Sequence, residues 1–572
     1  MTKAKTKEKN KKQNFENINS LESLFQVGIS LQKQGKILEA SNIYKIILKN
    51  DKNHFDSNHM LGIIETNNNN TMAIQFLQKA IQINPNSTYA YSDLGISLYK
   101  NKRIDEAIKC FERAIQLDLA NAQAYSNLGN ILQEIGNYEE ALLKYIRAID
   151  IDSKFMHAHY NCANALRSLG KFDQAIQFYE NTINLSPNFA EAHCNKGIAL
   201  KELNLFDEAL SSFNISININ NNFADAYYNR GLVLHDLKRI DEALKSYDNA
   251  IGIKIDYVDA YWNKSLALLL SGDYLNGWKL HEYRWKTKKF TTIKRNYNEK
   301  KWLGLDDLNG KRIYVYEEQG IGDTIQFSRY LKLVKLLGAY VIFEISKCLY
   351  NFMWSLDGVN ELITSDMNPT SFDFHCPLHS LPLALGTTIE TIPNDLGYIK
   401  VNFNKIAKWK AKLGDQKKIR IGIAWSSVSL FEQDKSRSIS FLNMMTAIPC
   451  EMFEIVCLQK YIKDEDYLEF SKSGIKFYGN ELVDVEETAA LISCLDLVIS
   501  TCTSVPHISA SIGKPTWVML QYVPDWRWML DREDSLWYQS VRLFRQNIRG
   551  DWNPVCNQIY SELLKYPRYQ II

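Results

Sequence analysis

The sequence predicts an α-helical repeat superhelix that gives way, past residue 310, to two parallel α/β lobes. Three observations predict it. Small residues recur every 33 or 34 positions through the first half. Short β-branched or aromatic runs alternate with helical stretches in the second half. Two strand–turn–helix passages there carry the glycines, hydroxyls and charges of an anion-binding loop.

The chain has 572 residues, 46% of them hydrophobic, enough for several packed units rather than one. Its 67 basic and 65 acidic residues leave a formal net charge of +2, which argues against a general nucleic-acid surface. The exception is a lysine-rich start, Lys3, Lys5, Lys7, Lys9, Lys11 and Lys12 against Glu8, so residues 1–20 are read as a disordered basic tail. A signal-peptide core and a bilayer-length apolar run are both absent, and the ten cysteines are scattered without a C-x-x-C pair. A cytoplasmic protein with reduced thiols is expected. His375, Cys376 and His379 lie close together but are read as packing, and no metal site is expected.

The repeats run over residues 21–291. The small position of the first helix is Gly28, Gly62, Gly95, Gly129, Ala163, Gly197, Gly231 and Ser265. The second helix repeats Ala40, Ala73, Ala107, Ala141, Ala175, Ala209 and Ala243, with Gly277 in the eighth place. Close helix crossing demands small side chains at both. Tyr91-x-x-Leu94-Gly95-x-x-Leu98 and Tyr125-x-x-Leu128-Gly129-x-x-Leu132 resemble the tetratricopeptide pattern, with Pro85 and Pro187 where that family often ends a repeat. The resemblance implies about eight units with a concave groove. Asn127, Asn161, Asn195, Asn229 and Asn263 stand 34 apart, in a phase that faces such a groove. Side-chain amides donate to and accept from peptide bonds, so this ladder is a candidate site for a protein or glycan acceptor. It is similar to the asparagine ladder of O-linked N-acetylglucosamine transferases. The alternative is that Asn is simply common at this repeat position. Gln26, Met60 and Asp93 interrupt the ladder in the first three units. Beyond Leu270 the pattern decays through Gly277-Trp278 and Tyr283-Arg284-Trp285 into a capping helix, and residues 292–310 are read as a linker.

The second half divides into a lobe at 311–405, on the acceptor side, and one at 406–572, on the nucleotide side. Strands are expected at 312–316, 340–345, 361–364, 419–425, 453–458, 496–500 and 516–520. In the first lobe the loop Gln319-Gly320-Ile321-Gly322-Asp323-Thr324 joins a strand to a helix. Its N–H groups suit an anion, and Gly320 and Gly322 let a ligand approach the backbone. Asp323 has two readings there: a general base for an acceptor hydroxyl, or a capping box with Gln326. In the second lobe, Thr503 suits a helix N-cap, Pro506 its first turn and Gly513 its stop, so Thr503 and Ser504 could receive a diphosphate. Trp425 and Ser426 end the first strand of this lobe. Lys435 and Arg437 follow, either as cations for a departing diphosphate or as solvated loop charges. Trp526 to Trp537 are read as core packing, with Asp531, Arg532 and Asp534 as an ion-pair corner.

Gly320-x-Gly322-Asp323-Thr324, Asp434-x-x-Arg437-Ser438-Ile439 and Thr501-x-Thr503-Ser504-x-x-His507 resemble the ordered motifs of heptosyltransferase-like glycosyltransferases. The likeness is greatest to bacterial proteins that join tetratricopeptide repeats to this domain, whose signature is echoed in Phe372–Leu378 and Pro524–Trp528. It implies a two-lobed GT-B fold and inverting sugar transfer. It further implies a base at Asp323, donor contacts at Arg437, Thr503, Ser504 and His507, and no required metal or cofactor, a nucleotide sugar being the substrate. Cys502 stands where heptosyltransferases carry aspartate, which argues against heptose as the donor. The expected protein is therefore a metal-independent hexosyl- or heptosyltransferase whose repeats dock an acceptor. The alternative is a non-catalytic scaffold with a degenerate transferase domain. Gly320-x-Gly322 lacks the third glycine of a dinucleotide fold, and a phosphate-loop lysine motif is missing.

Overall fold

The computed structural model describes residues 21–288, 290–369, 371–427 and 436–566. The basic tail, Asp434 and Lys435 lie outside these residues. The chain forms two compact units, divided between Asn229 and Arg230 within the helix Ala224–Asp236.

In the first unit, helical hairpins follow one another: 21–33 with Ile37–Asn50, Phe55–Asn68 with Asn70–Ile83, Thr88–Lys100 with Ile104–Leu117, Ala122–Glu134 with Tyr138–Ile151, Met156–Ser168 with Phe172–Leu185, and Ala190–Glu202 with Phe206–Ile219. The reason for the small residues is visible at each hairpin. A Cβ on Gly28 would lie 2.5 Å from the Tyr44 ring, one on Gly95 2.8 Å from Phe111, and one on Gly129 2.6 Å from Tyr145. In these three the aromatic ring of the second helix rests on bare backbone of the first, and at Gly62 Leu77 takes the same place. The alanines from Ala40 to Ala209 are fully buried, so the hairpins close as the 34-residue spacing requires. First helices of neighbouring hairpins from Phe55 to Glu202 also touch one another and form one continuous face.

The second unit begins with the last hairpins. Ile240–Ile253, Val258–Ser271 and Tyr274–His281 are helical, and a 3-10 turn covers Glu282–Lys286. Two sheets follow, and every pairing in both is parallel. The first contains β1 (Lys300–Lys301), β2 (Arg312–Tyr316), β3 (Tyr340–Ile345), β4 (Glu361–Thr364) and β5 (Phe374–Pro377), in the order β1-β5-β2-β3-β4. The second contains β6 (Ile419–Ala424), β7 (Phe453–Cys457), β8 (Leu497–Thr501), β9 (Thr516–Leu520) and β10 (Val541–Arg545), in the order β10-β9-β8-β6-β7. The central strands are buried on both faces, which is why they read as continuous apolar runs. Three strands escape that pattern. β5 carries His375 and ends in Pro377, β10 is interrupted by Arg542 and Arg545, and β1 is a lysine pair. The stretch 292–310, expected as a linker, is packed on the first lobe instead. Arg295 pairs with the buried Glu344, β1 lies along β5, and the Trp302 indole is buried.

The helix Tyr274–His281 packs behind the first lobe. Trp278 makes edge contacts with Phe327 at 5.9 Å and Trp526 at 5.2 Å, and Tyr274 lies against Trp526 and Trp537. Beside this aromatic block, Arg284 is fully buried. It grips both oxygens of the buried Glu318 at 2.8 Å and bonds Ser380 at 2.9 Å and Glu282 at 2.7 Å. Burial pushes the Glu282 carboxyl up, but Arg284 and Lys301 outweigh it and hold it at about 2. His375, Cys376 and His379 are buried in packing, with the His379 N–H donating to Glu318 at 2.8 Å.

Candidate functional site

The site forms where two helix starts meet. The loop after β2 leads into helix Ile321–Ser328, and the loop after β8 into helix Ser504–Ser511. Both lie beyond the carboxyl ends of parallel strands, where open α/β sheets bind ligands. Gln319, exposed, adopts φ +66°, a left-handed conformation that is costly for a residue with a side chain, and it turns the chain into the first of these helices.

Asp323 lies at the third position of its helix. Its Oδ2 accepts from the Gly320 N–H at 3.1 Å, so the helix begins three residues earlier than a cap at Asp323 requires. Its Oδ1 is paired with the guanidinium of Arg527 from the other lobe. Arg527 also donates to Gln326 Oε1 at 2.6 Å and Asp525 Oδ1 at 2.8 Å, and its guanidinium lies 4.6 Å from the Trp526 ring centroid. Burial disfavours that positive charge, but Asp525 and Asp323 outweigh it and raise the Arg527 pKa.

Several expected donor contacts are placed otherwise. The space over Gly322 is filled by the His507 ring, 2.8 Å from an ideal Cβ, so this glycine serves close packing between the lobes rather than approach of a ligand. His507 is buried, with Nδ1 and the Tyr538 hydroxyl 2.8 Å apart, and burial together with Arg527 and Arg329 holds its pKa well below the ordinary value. Trp425 is a core residue: its Nε1 donates to Asp466 at 2.8 Å and its ring packs on Phe441 and Phe470. Ser426 is buried, and its hydroxyl accepts from Gln459 Nε2 at 3.0 Å. Gly320 remains exposed beside Asp323. Thr503 caps its helix through the Val505 N–H at 3.3 Å, and Ser504 follows as the first helical residue.

Cys502, buried just before them in the chain, accepts from Trp528 Nε1 at 3.0 Å. Burial and Asp525 push its thiol pKa up, against the opposing charges of Arg437 and Arg527. Arg437 therefore stands near Cys502, while Lys435 lies outside the described residues. Arg527 and Asp525 were missed as site residues, although the Pro524–Trp528 passage was conspicuous. Its tryptophans indeed pack in the core, and the arginine between them does not follow that pattern. Glu317 was missed too. It accepts from Thr324 at 3.4 Å and Ser346 at 3.3 Å, and burial raises its pKa. Arg532 pairs with Asp534, as the ion-pair corner predicts.

The asparagine ladder is half-buried and partly engaged. Asn161 Nδ2 donates to Asn130 Oδ1 at 2.9 Å, and Asn195 Nδ2 donates to Asn164 Oδ1 at 3.1 Å and the Tyr160 hydroxyl at 2.8 Å, so both tie adjacent repeats together. Asn229 and Asn263 each donate to a carbonyl one turn back, at 2.8 and 2.9 Å. Asn127 Nδ2 has no hydrogen-bond partner among the described residues. Among the described residues, no helix is long and apolar enough to cross a membrane, and no group of three or more His, Cys, Asp or Glu is arranged to hold a metal ion.

Family models described as tetratricopeptide repeats match residues 86–154, 163–204 and 224–257. The array is built of tetratricopeptide repeats. Such repeats point to a protein-interaction scaffold. A curated relative, Protein FlbA of Caulobacter vibrioides, is 24% identical over 323 residues, 52% of this chain and 53% of its own length. The chain thus spans about half the length of that relative. Among solved structures, YrrB, described as a tetratricopeptide protein with an unusual peptide-binding site, is 27% identical over 33% of this chain and 98% of its own, with a TM-score of 0.30. A thermophilic tetratricopeptide protein of Thermus thermophilus is 21% identical over 32% of this chain and 100% of its own, with a TM-score of 0.28.

Proposed function

We propose that the chain is an inverting glycosyltransferase of the two-lobed GT-B type, with a nucleotide sugar as donor and a protein or glycan acceptor docked by the repeats. The observation that carries this reading is the convergence of Asp323, the start of helix Ser504–Ser511 and the guanidinium of Arg527 at the carboxyl ends of two parallel sheets. In the reaction, Asp323 takes the proton of an acceptor hydroxyl. The hydroxyl oxygen attacks the anomeric carbon, and the bond from that carbon to the diphosphate oxygen breaks. Helix-start amides and Arg437 receive the departing charge, a role that cations can fill without a metal ion.

A second reading, a non-catalytic scaffold, is favoured by one observation: both oxygens of Asp323 are already engaged, by Gly320 and Arg527. Purified protein incubated with a panel of nucleotide sugars separates the two. Release of nucleoside diphosphate that disappears in Asp323→Asn supports transfer. Silence across the panel, with protein partners still captured by the repeats, supports the scaffold.

A further inference from the structure

We infer that Arg527 is a latch on Asp323, and that an incoming diphosphate must compete with that carboxylate for the same guanidinium. This rests on reading the two lobes as a nucleotide-sugar site. Four features carry it. Arg527 is held from behind by Gln326 and Asp525 and is almost fully buried, so it is fixed in place as a fork for oxygen ligands. Asp323 and Asp525 keep side-chain exposures of 21% and 31%, so their side of the cluster meets solvent. Two carboxylates against one guanidinium leave the cluster formally one negative charge in excess, which repels a dianion until a carboxylate gives way. Finally, the Gln326 side chain is fully buried and its Nε2 has no hydrogen-bond partner among the described residues, although its Oε1 is bonded to Arg527. A buried amide with an unused donor beside a buried cation is one more group that an oxygen anion can satisfy.

The latch has a consequence for catalysis. With Arg527 on Asp323 the carboxylate is occupied. When the diphosphate oxygens take over the N–H groups that hold Asp323, the carboxylate is released toward the acceptor. Base and donor site are thereby coupled, and the base is freed only when a donor is present. Arg527 is a positioning residue in this scheme until the diphosphate touches it.

The test uses inorganic pyrophosphate as probe and isothermal calorimetry on the full chain. Removing the competing charge with Asp323→Asn tightens pyrophosphate by about tenfold, the size expected for loss of one charge-assisted contact. Arg527→Gln weakens it by at least about tenfold. Thermal melting checks that each variant is folded. Should Arg527→Gln fail to fold, Arg527→Lys takes its place, since it keeps the charge and loses the fork, and is expected to bind more weakly than the parent. An Asp323→Asn variant whose affinity matches the parent's overturns the latch, as does a folded Arg527 variant that binds as tightly as the parent. Absence of pyrophosphate binding in both the parent and Asp323→Asn overturns it as well. Sugar transfer without the Asp323→Asn gain would remove the latch and leave the transferase reading. The gain without transfer would leave an anion site and remove the enzyme.

Discussion

Replacing Gly322 with alanine is the sharpest probe of how the two lobes meet. An ideal Cβ there lies 2.8 Å from His507 Cδ2 and 3.4 Å from Cγ and Nε2. Ordinary carbon contacts are about 3.5–4.0 Å, so about 1 Å of retreat is needed. The ring has nowhere to go: it is buried, bonded to Tyr538, and packed with Trp528 at 5.7 Å and Tyr538 at 5.6 Å between centroids. The helices Ile321–Ser328 and Ser504–Ser511 must then separate. Overpacking of this kind costs about 1–3 kcal/mol, and the higher helix propensity of alanine offsets up to about 1 kcal/mol, leaving a net loss between about 0 and 3 kcal/mol. Gly252→Ala is the control. It lies in helix Ile240–Ile253 of the same unit, and a Cβ there meets nothing within 4 Å, so it should gain about 0.5–1 kcal/mol. Urea unfolding followed by tryptophan fluorescence reads both. A Gly322→Ala variant stabilised as Gly252→Ala is would refute the packing argument.

Other outcomes follow from the same coordinates. Stability should fall with acid before the carboxylates titrate: burial, with nearby arginines, holds the pKa values of His281, His379 and His507 well below 6.5. The unfolded chain binds these protons near pH 6.5 and the folded one does not, so each histidine removes up to about 1.4 kcal/mol per pH unit below that value, as urea midpoints from pH 8 to pH 5 will show. Arg284→Met leaves Glu318 buried without its partner and should cost about 3–5 kcal/mol in the same unfolding assay, whereas Arg312→Met, at a partly exposed pair, should cost less than about 1 kcal/mol. In the repeats, Asn195→Ala loses two bonds between neighbouring repeats and should destabilise by about 1–2 kcal/mol, whereas Asn229→Ala, which loses a bond within its own helix, should stay within about 0.5 kcal/mol by denaturant titration.

What the sequence discloses depends on how far each signal reaches along the chain. The repeat spacing is a local rule, since a small residue of one helix meets a large side chain of the next fifteen or sixteen residues later, as at Gly28 and Tyr44, Gly62 and Leu77 or Gly129 and Tyr145. The buried central strands are likewise written in consecutive apolar residues, such as Leu497–Thr501. β5 and β10 carry His375, Arg542 and Arg545 and stay hidden, because their partners elsewhere in the chain decide their structure. The candidate site was legible in its helix starts and in Asp323. Arg527 was not, for it reaches Asp323 across 204 positions, and the conspicuous passage around it, Pro524–Trp528, reads by its tryptophans as core packing. Gly322 shows the opposite failure. A glycine in a strand–turn–helix loop reads as room for a ligand, yet a distant histidine occupies that room.

The helix Tyr274–His281 sets where this chain can be cut. Counted by repeats it is the end of an array, yet its Trp278 indole shields Phe327, in the same helix as Asp323, and Trp526, next to Arg527. A fragment begun at residue 311 would strip that cover and expose a sticky aromatic wall, besides stranding Glu318 without Arg284. An expression fragment meant to stay monodisperse should therefore start upstream of Val258, carrying the final hairpin along as a built-in lid.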